Sequence, residues 1–469
     1  LAEGRPVPSP PLQLLAIVAA LLIVAPATNA RSQPEPQPKQ ESPSPETQRA
    51  EQGDASPPER FAIHLQGTDI LQHYGRFHSP YQGANSFRSQ GGSGNTVDAT
   101  LYLGVRPWSG AELWANLEMY QGYAPSNTVG VAGYVNGDGA KVGRAHAYGR
   151  IARVFLRQTI DLGGEQENVD ADVNQLGGAR AKNRLVVAAG KLNVTDVFDT
   201  NKYAHDARHD FLNWSLIDAG SFDYAADAWG YTYGLATELY RGDWAWRVGV
   251  FDLSIVPNNA ELTHDFSQFQ IVAEAERRFS LRGRPGALRV TGFLSRGRMG
   301  RYDDAVRLAE TPGVTPDISL VRRYRSRPGV HLNLEQEVAN GIGVFARLGW
   351  ADGRYESYEY TDIDQTAQAG LSIVGGAWGR KDDTFGVAVV VNRLSSAGHR
   401  YLNAGGLGIL VGDGRLPHPG TEEIVEAYYS LSVLKDVTLS LDDQLIERPA
   451  YNRDRGPANV IGVRLHIQH

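Results

Sequence analysis

Cysteine is missing altogether from the 469-residue chain, and methionine occurs only twice. Without cysteine there is no disulfide framework, no thiol nucleophile and no thiolate-held metal or iron–sulfur cluster. The same lack suits a chain that must cross an oxidising compartment unfolded. Long apolar runs are scarce too. One stretch of thirteen residues, Leu12–Val24, is apolar but for Gln13. That is short of the ~20 a helix needs to span a bilayer, and nothing later approaches it. Basic charge is not in excess: the net charge is −7, which argues against nucleic acid as a partner. Nor is there a G-x-S-x-G elbow or an H-E-x-x-H helix, so the hydrolase motifs that need them are excluded.

What is abundant points elsewhere. The chain holds 52 Gly, 21 Tyr and 8 Trp, residue types that suit turns, strands and interfacial girdles. Mean hydropathy is −0.34. That value resembles a soluble protein, yet it is compatible with a membrane barrel, where only alternate strand residues face lipid.

The first thirty residues read as a targeting segment. Arg5 precedes the apolar run, and Pro26 and Thr28-Asn29-Ala30 follow it. This is the three-part pattern of a signal peptide, with cleavage expected after Ala30. Residues 31–60 are rich in Pro, Gln, Glu and Ser; such a segment cannot bury a core and is expected to be a disordered linker. An exported chain with no later apolar helix meets a membrane as a barrel or as a peripheral protein.

From Phe61 onward the dominant signal is period two. Ala99, Leu101, Leu103 and Val105 share one face. Trp244, Trp246, Val248 and Val250 alternate against Ala245, Arg247 and Gly249. Apolar on one face and polar on the other marks a half-buried strand. Sixteen segments read this way: 61–74, 97–106, 111–120, 149–160, 184–191, 229–240, 244–253, 266–279, 287–296, 328–338, 342–352, 366–374, 384–393, 423–433, 437–446 and 459–468. Their connections alternate between long and short. One departs from the alternation: 161–183 falls in a short position and is long. The pattern predicts an all-β fold, a transmembrane antiparallel β-barrel of about 16 strands with short periplasmic turns and long extracellular loops. A soluble sandwich or propeller does not predict it. Arg153, Arg157, Arg247, Arg347, Glu335, His331, Glu274 and Glu276 lie opposite the apolar rows and are expected on the lumen wall.

The longest connection, Leu192–Ala228, is the third long loop. A freely exposed loop would not hold so many aromatics, so it is expected to fold into the lumen and narrow it. Its candidate constriction residues are Asn201, His205, Asp206, Arg208, His209, Asp210, Trp214, Asp218, Tyr224 and Asp227. Aromatic faces stack on the C–H surface of a pyranose, and carboxylate, amide, guanidinium and imidazole groups hydrogen-bond its hydroxyls. His205 and His209 stand four apart, but a hydrogen-bonded loop pair is the expectation. No metal and no cofactor is expected. Adjacent carboxylates such as Asp442-Asp443 point to opposite strand faces and make poor acid–base pairs.

The stretch FDTNKYAHDARHDFLNWSLIDAGSFDYAADAWGYTYG (Phe198–Gly234) resembles the signature of the carbohydrate-selective porins, the OprB-type family. FHSPYQGANS (Phe77–Ser86), TLYLGVRPWSGAELWANLEMYQG (Thr100–Gly122), ARVFLRQTIDLGGE (Ala152–Glu165) and YNRDRGPANVIGVRLHIQH (Tyr451–His469) resemble the same family. The resemblance covers essentially everything after Phe61. It implies a sixteen-stranded barrel through which monosaccharides or small oligosaccharides diffuse passively across the outer membrane of a Gram-negative bacterium. It also implies partners in outer-membrane lipid, lipopolysaccharide and the barrel-assembly machinery, and it leaves monomer and homotrimer open. Such barrels usually end in an aromatic residue, most often Phe, where this chain has His469. Two other readings stand beside it: a general or anion-preferring porin, suggested by the inward arginines, and a secreted soluble glycan-binding β protein or glycosidase.

Overall fold

In the computed structural model the described residues are 58–469, apart from Ala140, Pro312 and Thr361. The expected signal peptide and nearly all of the expected linker lie outside them.

Strands form wherever the period-two pattern runs. They are β1 (Phe61–Tyr74), β2 (Gly92–Val105), β3 (Ala111–Tyr123), β4 (Arg144–Asp161), β5 (Gln166–Val169), β6 (Gly178–Ala181), β7 (Arg184–Leu192), β8 (Thr232–Arg241) and β9 (Trp244–Asp252). The chain continues with β10 (Phe269–Leu281), β11 (Arg284–Met299), β12 (Arg323–Ala339), β13 (Ile342–Ala351), β14 (Gln365–Val374), β15 (Thr384–Arg393), β16 (Glu422–Leu434), β17 (Val437–Glu447) and β18 (Ala458–Gln468). Sixteen of these close into one antiparallel barrel. Each barrel strand pairs with the next along the chain, and β18 returns to pair with β1, from Gln66↔Gln468 to Tyr74↔Val460. Closure leaves no sheet edge with unpaired backbone groups, the condition for a sheet in hydrocarbon. The exceptions are β5 and β6, which pair only with each other.

All sixteen expected strands are present. Several run longer than their apolar pattern, among them β4, which starts at Arg144 rather than near 149. Its added residues, Arg144–Tyr148, are mostly exposed and show no apolar row. Where both faces of a strand are wet, alternation fades although pairing continues, so hydropathy does not mark the strand's end.

The faces sort as the alternation predicts. On β9 Trp244, Trp246 and Val248 are exposed, while Ala245 and Arg247 are buried. On β18 Ile461 and Val463 point out, while Arg464 and His466 point in and are buried. Exposed Leu, Val and Ile on strand after strand form an apolar belt. Exposed rings flank it. Phe61, Trp108, Trp244 and Trp378 lie at the short-turn end, and Tyr123, Tyr233, Phe266, Tyr324 and Trp350 at the long-loop end. A belt between two aromatic girdles is the surface a barrel presents to a bilayer. Among the described residues no helix is long and apolar enough to cross a membrane.

The turns follow from local chemistry. Gly242 sits at φ 56° in the two-residue link between β8 and β9, a left-handed position that tight hairpin turns demand. The long connections carry short helices: α1 (Trp214–Ile217), α2 (Tyr302–Leu308) and α3 (Ser396–Asn403). The Ser395 side chain caps α3 by accepting the Gly398 N–H at 3.0 Å. The main apolar core lies within the barrel, where rings of the long connections, such as Phe198, Phe211, Trp214 and Phe222, pack on inward wall residues. A second, smaller cluster sits near the short-turn end.

Candidate functional site

The 193–231 segment joins β7 to β8 and lies against the inner wall. Three arginines with buried side chains hold it, two by its backbone carbonyls and one by a carboxylate. Arg347 of β13 donates to the carbonyls of Ala204, Leu216 and Ile217 at 2.7, 3.0 and 3.1 Å. Arg464 of β18 donates to the carbonyls of Ala207, His209 and Asp210. Arg327 of β12 meets Asp223 at 3.2 Å. Carboxylates take the N–H groups. Glu426 of β16 accepts from Leu212 and Asn213, and Glu274 of β10 accepts from Asp199 at 2.9 Å. Charge-assisted bonds of this kind are the strong ones, and they come from the β10–β18 side of the barrel.

Two further connections pack onto this segment, an arrangement the loop lengths did not announce. In 124–143, Ala132 and Gly133 donate to Glu422 at 2.9 and 2.8 Å, and the Tyr134 carbonyl accepts the Trp214 backbone N–H at 3.1 Å. In 352–364, the N–H groups of Tyr358, Glu359 and Tyr360 all point to Asp223.

The opposite wall, β1–β4 with β7 and β8, is arranged differently. Arg208 leaves the inserted segment and meets Asp138, Asp98 and Glu118 at 3.1, 3.4 and 3.6 Å. Burial pushes the Asp138 carboxyl up against the pull of Arg208. For Asp206 the balance is reversed: burial raises it, but Arg208 and His209 hold it below the usual carboxylate range. Arg150 and Arg153 of β4 lie over the Tyr231 ring, at 4.6 and 4.9 Å. Arg153 also grips Asp196 with two bonds of 2.8 and 2.7 Å. Beside this cluster opens a cavity of about 1130 Å³, lined by Arg153, Arg157, Asp196, His205, Asp206 and Arg208 among others.

These features describe a barrel narrowed by a chain segment pinned to one wall. The family model of the carbohydrate-selective porins, the OprB family, matches residues 84–469. The chain belongs to that family. As a member it is a sugar-selective outer-membrane porin, a channel by family and by fold. OprB of Pseudomonas putida, in its high-pH structure, is similar over 87% of this chain and 94% of its own, at 16% identity and a TM-score of 0.65. The outer membrane channel DcaP of Acinetobacter baumannii is similar over 87% and 97%, at 9% identity and a TM-score of 0.51. At these identities the likeness is one of fold. No curated relative matches the chain.

Within this porin the candidate residues part company. His205, Asp206 and Arg208 line the cavity together. His209 is exposed and stacks edge-on against His466, with ring centroids 4.4 Å apart. It does not pair with His205, and among the described residues no group of three or more side chains is placed to hold a metal. Asp210 closes the turn by accepting the N–H groups of His205 and Asp206 at 2.9 and 3.2 Å. Asn201 bonds Asn333 at 2.7 Å, and Asp227 lies 3.3 Å from Lys191.

Trp214 and Tyr224 are placed otherwise than the sugar-stacking expectation requires. Trp214 is 1% exposed and stacks between Tyr134 and Tyr360, so both its faces are covered. Tyr224 packs on Phe222 and Tyr360. Asp218 is buried as well; burial pushes its carboxyl far up, the nearby Asp199 charge adding to the effect. Of the wall residues, Arg347 is under the segment rather than open to a passage. Arg247 is tied to Glu274, Glu276 and Glu238 at 2.7, 2.9 and 3.1 Å, and Glu335 is tied to Arg289 at 3.1 Å. Asp98, Glu118, Asp138, Arg150 and Tyr231 were missed. Asp98 lies in the polar row of β2, opposite Ala99 and Leu101, so alternation alone could have flagged it.

Proposed function

We propose that sugars traverse the barrel between the tip of the 193–231 segment and the β1–β4 wall, as neutral solutes, with Arg208, Arg153, Asp196, His205 and Asp206 supplying the polar contacts. One observation carries this reading. The guanidinium groups around the tip are matched by carboxylates: Arg208 by Asp98, Glu118 and Asp138, Arg153 by Asp196, and Arg157 by Glu112. Matched pairs present donors and acceptors at fixed positions, which suits hydroxyl groups. They leave little of the fixed net charge that an anion-preferring passage depends on. Tyr231, buried beneath two guanidinium groups, holds Arg150 and Arg153 in place rather than offering a face to a sugar. The apolar belt between the girdles is where outer-membrane lipid would sit, with lipopolysaccharide toward the long-loop end.

The test is single-channel current through planar bilayers, with and without glucose, for wild type and Arg208→Ala. Loss of one charge-assisted contact, about 1–2 kcal/mol, corresponds to a rise of about five- to thirtyfold in the half-blocking sugar concentration. Reversal potential should move toward cations at the same time, because a positive charge is removed from beside Asp98 and Asp138, while Glu118 keeps Arg150. If neither quantity moves, the path does not pass Arg208.

A further inference from the structure

At the short-turn end, barrel strands follow one another through connections as short as the two residues between β8 and β9. The link between β4 and β7 stands apart. It runs over 162–183 and builds its own two-stranded sheet, β5 with β6, in register from Gln166↔Ala181 to Val169↔Gly178. A longer turn that hung free below the barrel would have an exposed tip. This tip does not hang free. Leu176 is 2% exposed, and with Val173 it packs against Ala62, Tyr102, Trp114 and Phe155. Those four come from β1, β2, β3 and β4 and alternate with exposed, outward residues such as Ile63, Leu103, Leu113 and Val154. They therefore point inward, and so the tip stands within the mouth of the barrel.

Polar contacts fasten it there from several directions. Arg157 of β4 donates to the Asn174 carbonyl at 2.8 Å. Arg106, in the β2–β3 turn, donates to the Gly177 carbonyl at 3.3 Å. Glu59 accepts the Gly177 N–H at 2.8 Å, and its own N–H donates back to the Gly177 carbonyl at 3.1 Å. Gln468 at the end of β18 reaches Asp172 at 3.1 Å. The hairpin is strapped across the arc from β4 through β1 to β18. The cavity of about 1130 Å³ has Asp172–Leu176 of this tip on one side and His205, Asp206 and Arg208 of the inserted segment on the other. Its volume is at or above the roughly 300–1,000 Å³ of ordinary small-molecule sites.

We propose that the 162–183 hairpin is a second constriction of the sugar path, in series with the 193–231 segment, and that it selects among saccharides by chain length. A solute passing the Arg208 cluster enters a closed-sided chamber and must then pass the hairpin tip. A monosaccharide turns freely in that space. A linear oligosaccharide has to enter the second narrowing while still in contact with the first, so added sugar units cost it more than they would in a barrel with one narrowing. This rests on the sugar path proposed above, but it makes a separate claim about where size is sensed.

Two measurements on the full-length porin test it. In the first, residues 166–181 are replaced by a short glycine-rich turn joining β4 to β7. Conductance is expected to rise, and proteoliposome swelling rates for linear tri- and pentasaccharides are expected to rise several-fold relative to glucose. The glucose half-blocking concentration, read at the Arg208 cluster, should stay within about twofold. Unchanged conductance and unchanged relative rates would overturn the proposal. The second measurement covers a replacement that fails to assemble. The chain has no cysteine, so Gln175→Cys, at a cavity-lining position of the tip, is a single addressable thiol. A bulky methanethiosulfonate, which forms a mixed disulfide with the thiol and releases a sulfinate, should lower the open-channel current stepwise once the channel is in the bilayer, and a reducing thiol should cleave that disulfide and restore it. Complete labelling without a change in current would place the tip outside the path and overturn the proposal. An Arg208→Ala channel with normal sugar block but a sensitive hairpin would instead count against the proposed path alone.

Discussion

Asp196 and Asp199 stand three residues apart on the same inserted segment, and each meets an arginine of the wall. Asp196 takes Arg153 in a two-pronged contact, with 35% of its own side chain exposed. Asp199 takes Arg347 at 3.1 Å, and neither side chain has any exposure. The pairs are alike in chemistry and opposite in role, because of what surrounds each arginine. Arg347 directs its remaining donors at carbonyls of the segment. Burial alone would raise the Asp199 carboxyl, but Arg347 and His331 beside it and the Ala219 N–H together more than offset this and hold it well below the usual range. Arg153 shares its ring neighbour Tyr231 with Arg150 and faces the cavity. One half of the wall uses charge to hold chain; the other half leaves charge beside open space. Charge on an inner barrel face is therefore ambiguous until its partners are known.

The comparison breaks most visibly if the anchored pair is cut. Arg347→Ala leaves Asp199 buried with its main cation gone, and removing one partner of a buried pair typically costs 3–5 kcal/mol. The urea midpoint in detergent should fall accordingly, and single-channel current should become noisier as the segment loosens. Arg153→Ala, by contrast, should cost no more than about 1 kcal/mol, as partly exposed pairs do. Equal losses for the two variants would show that the halves do not differ as described.

A smaller effect concerns the inner packing of the loops. Burial raises the Asp362 carboxyl to about 7, with the Asp364 charge adding to it. A raised folded-state value means that the folded protein binds the proton more tightly than the unfolded chain, whose Asp titrates near 3.9. Stability from this group is therefore greatest below about pH 4 and is lost as pH rises to about 7. The slope is at most about 1.4 kcal/mol per pH unit. The stability gap between Asp362→Asn and wild type should widen from pH 5 to pH 7 in favour of the variant. A gap that is flat over that window would refute the raised value.

Much of the barrel was legible because a closed sheet in lipid obeys a simple rule, apolar out and polar in, and for β1 and β15 the expected bounds, 61–74 and 384–393, are those of the paired strands. The rule has less to say inside. Trp214 looked like a sugar platform because an aromatic in a long loop needs a surface to cover it. The surface turned out to be Tyr134 and Tyr360, supplied by two other connections. Nothing in the period of a strand tells which loops enter the lumen together, so the insertion of 124–143 was invisible. Arg208 was legible as charge, but its partners Asp98 and Glu118 come from strands about a hundred residues earlier, and only closure of the barrel brings them within 4 Å.

The finest test of the comparison is Asp196→Asn, which changes charge with almost no change in shape. Asp196 accepts from Arg153 and also from the Asn193 N–H at 3.2 Å, closing the short helical turn that opens the segment. An amide oxygen can keep one of these bonds, so the stability cost should be that of a weakened cap and a part-exposed pair, about 1 kcal/mol or less. The electrical consequence should be clearer. Arg153 would keep its charge without the matching carboxylate, beside a passage too narrow to be fully screened. Reversal potential should move toward anions, opposite in sign to the shift expected for Arg208→Ala, and sugar block should weaken by no more than a few-fold, since one acceptor oxygen is lost and the other hydroxyl partners stay. The double variant Asp196→Asn with Arg208→Ala should return the ion preference toward that of wild type while losing sugar block further. Such a result would separate charge balance from hydroxyl recognition at the same site. A shift toward cations in Asp196→Asn alone would mean that Arg153 does not face the conducting path.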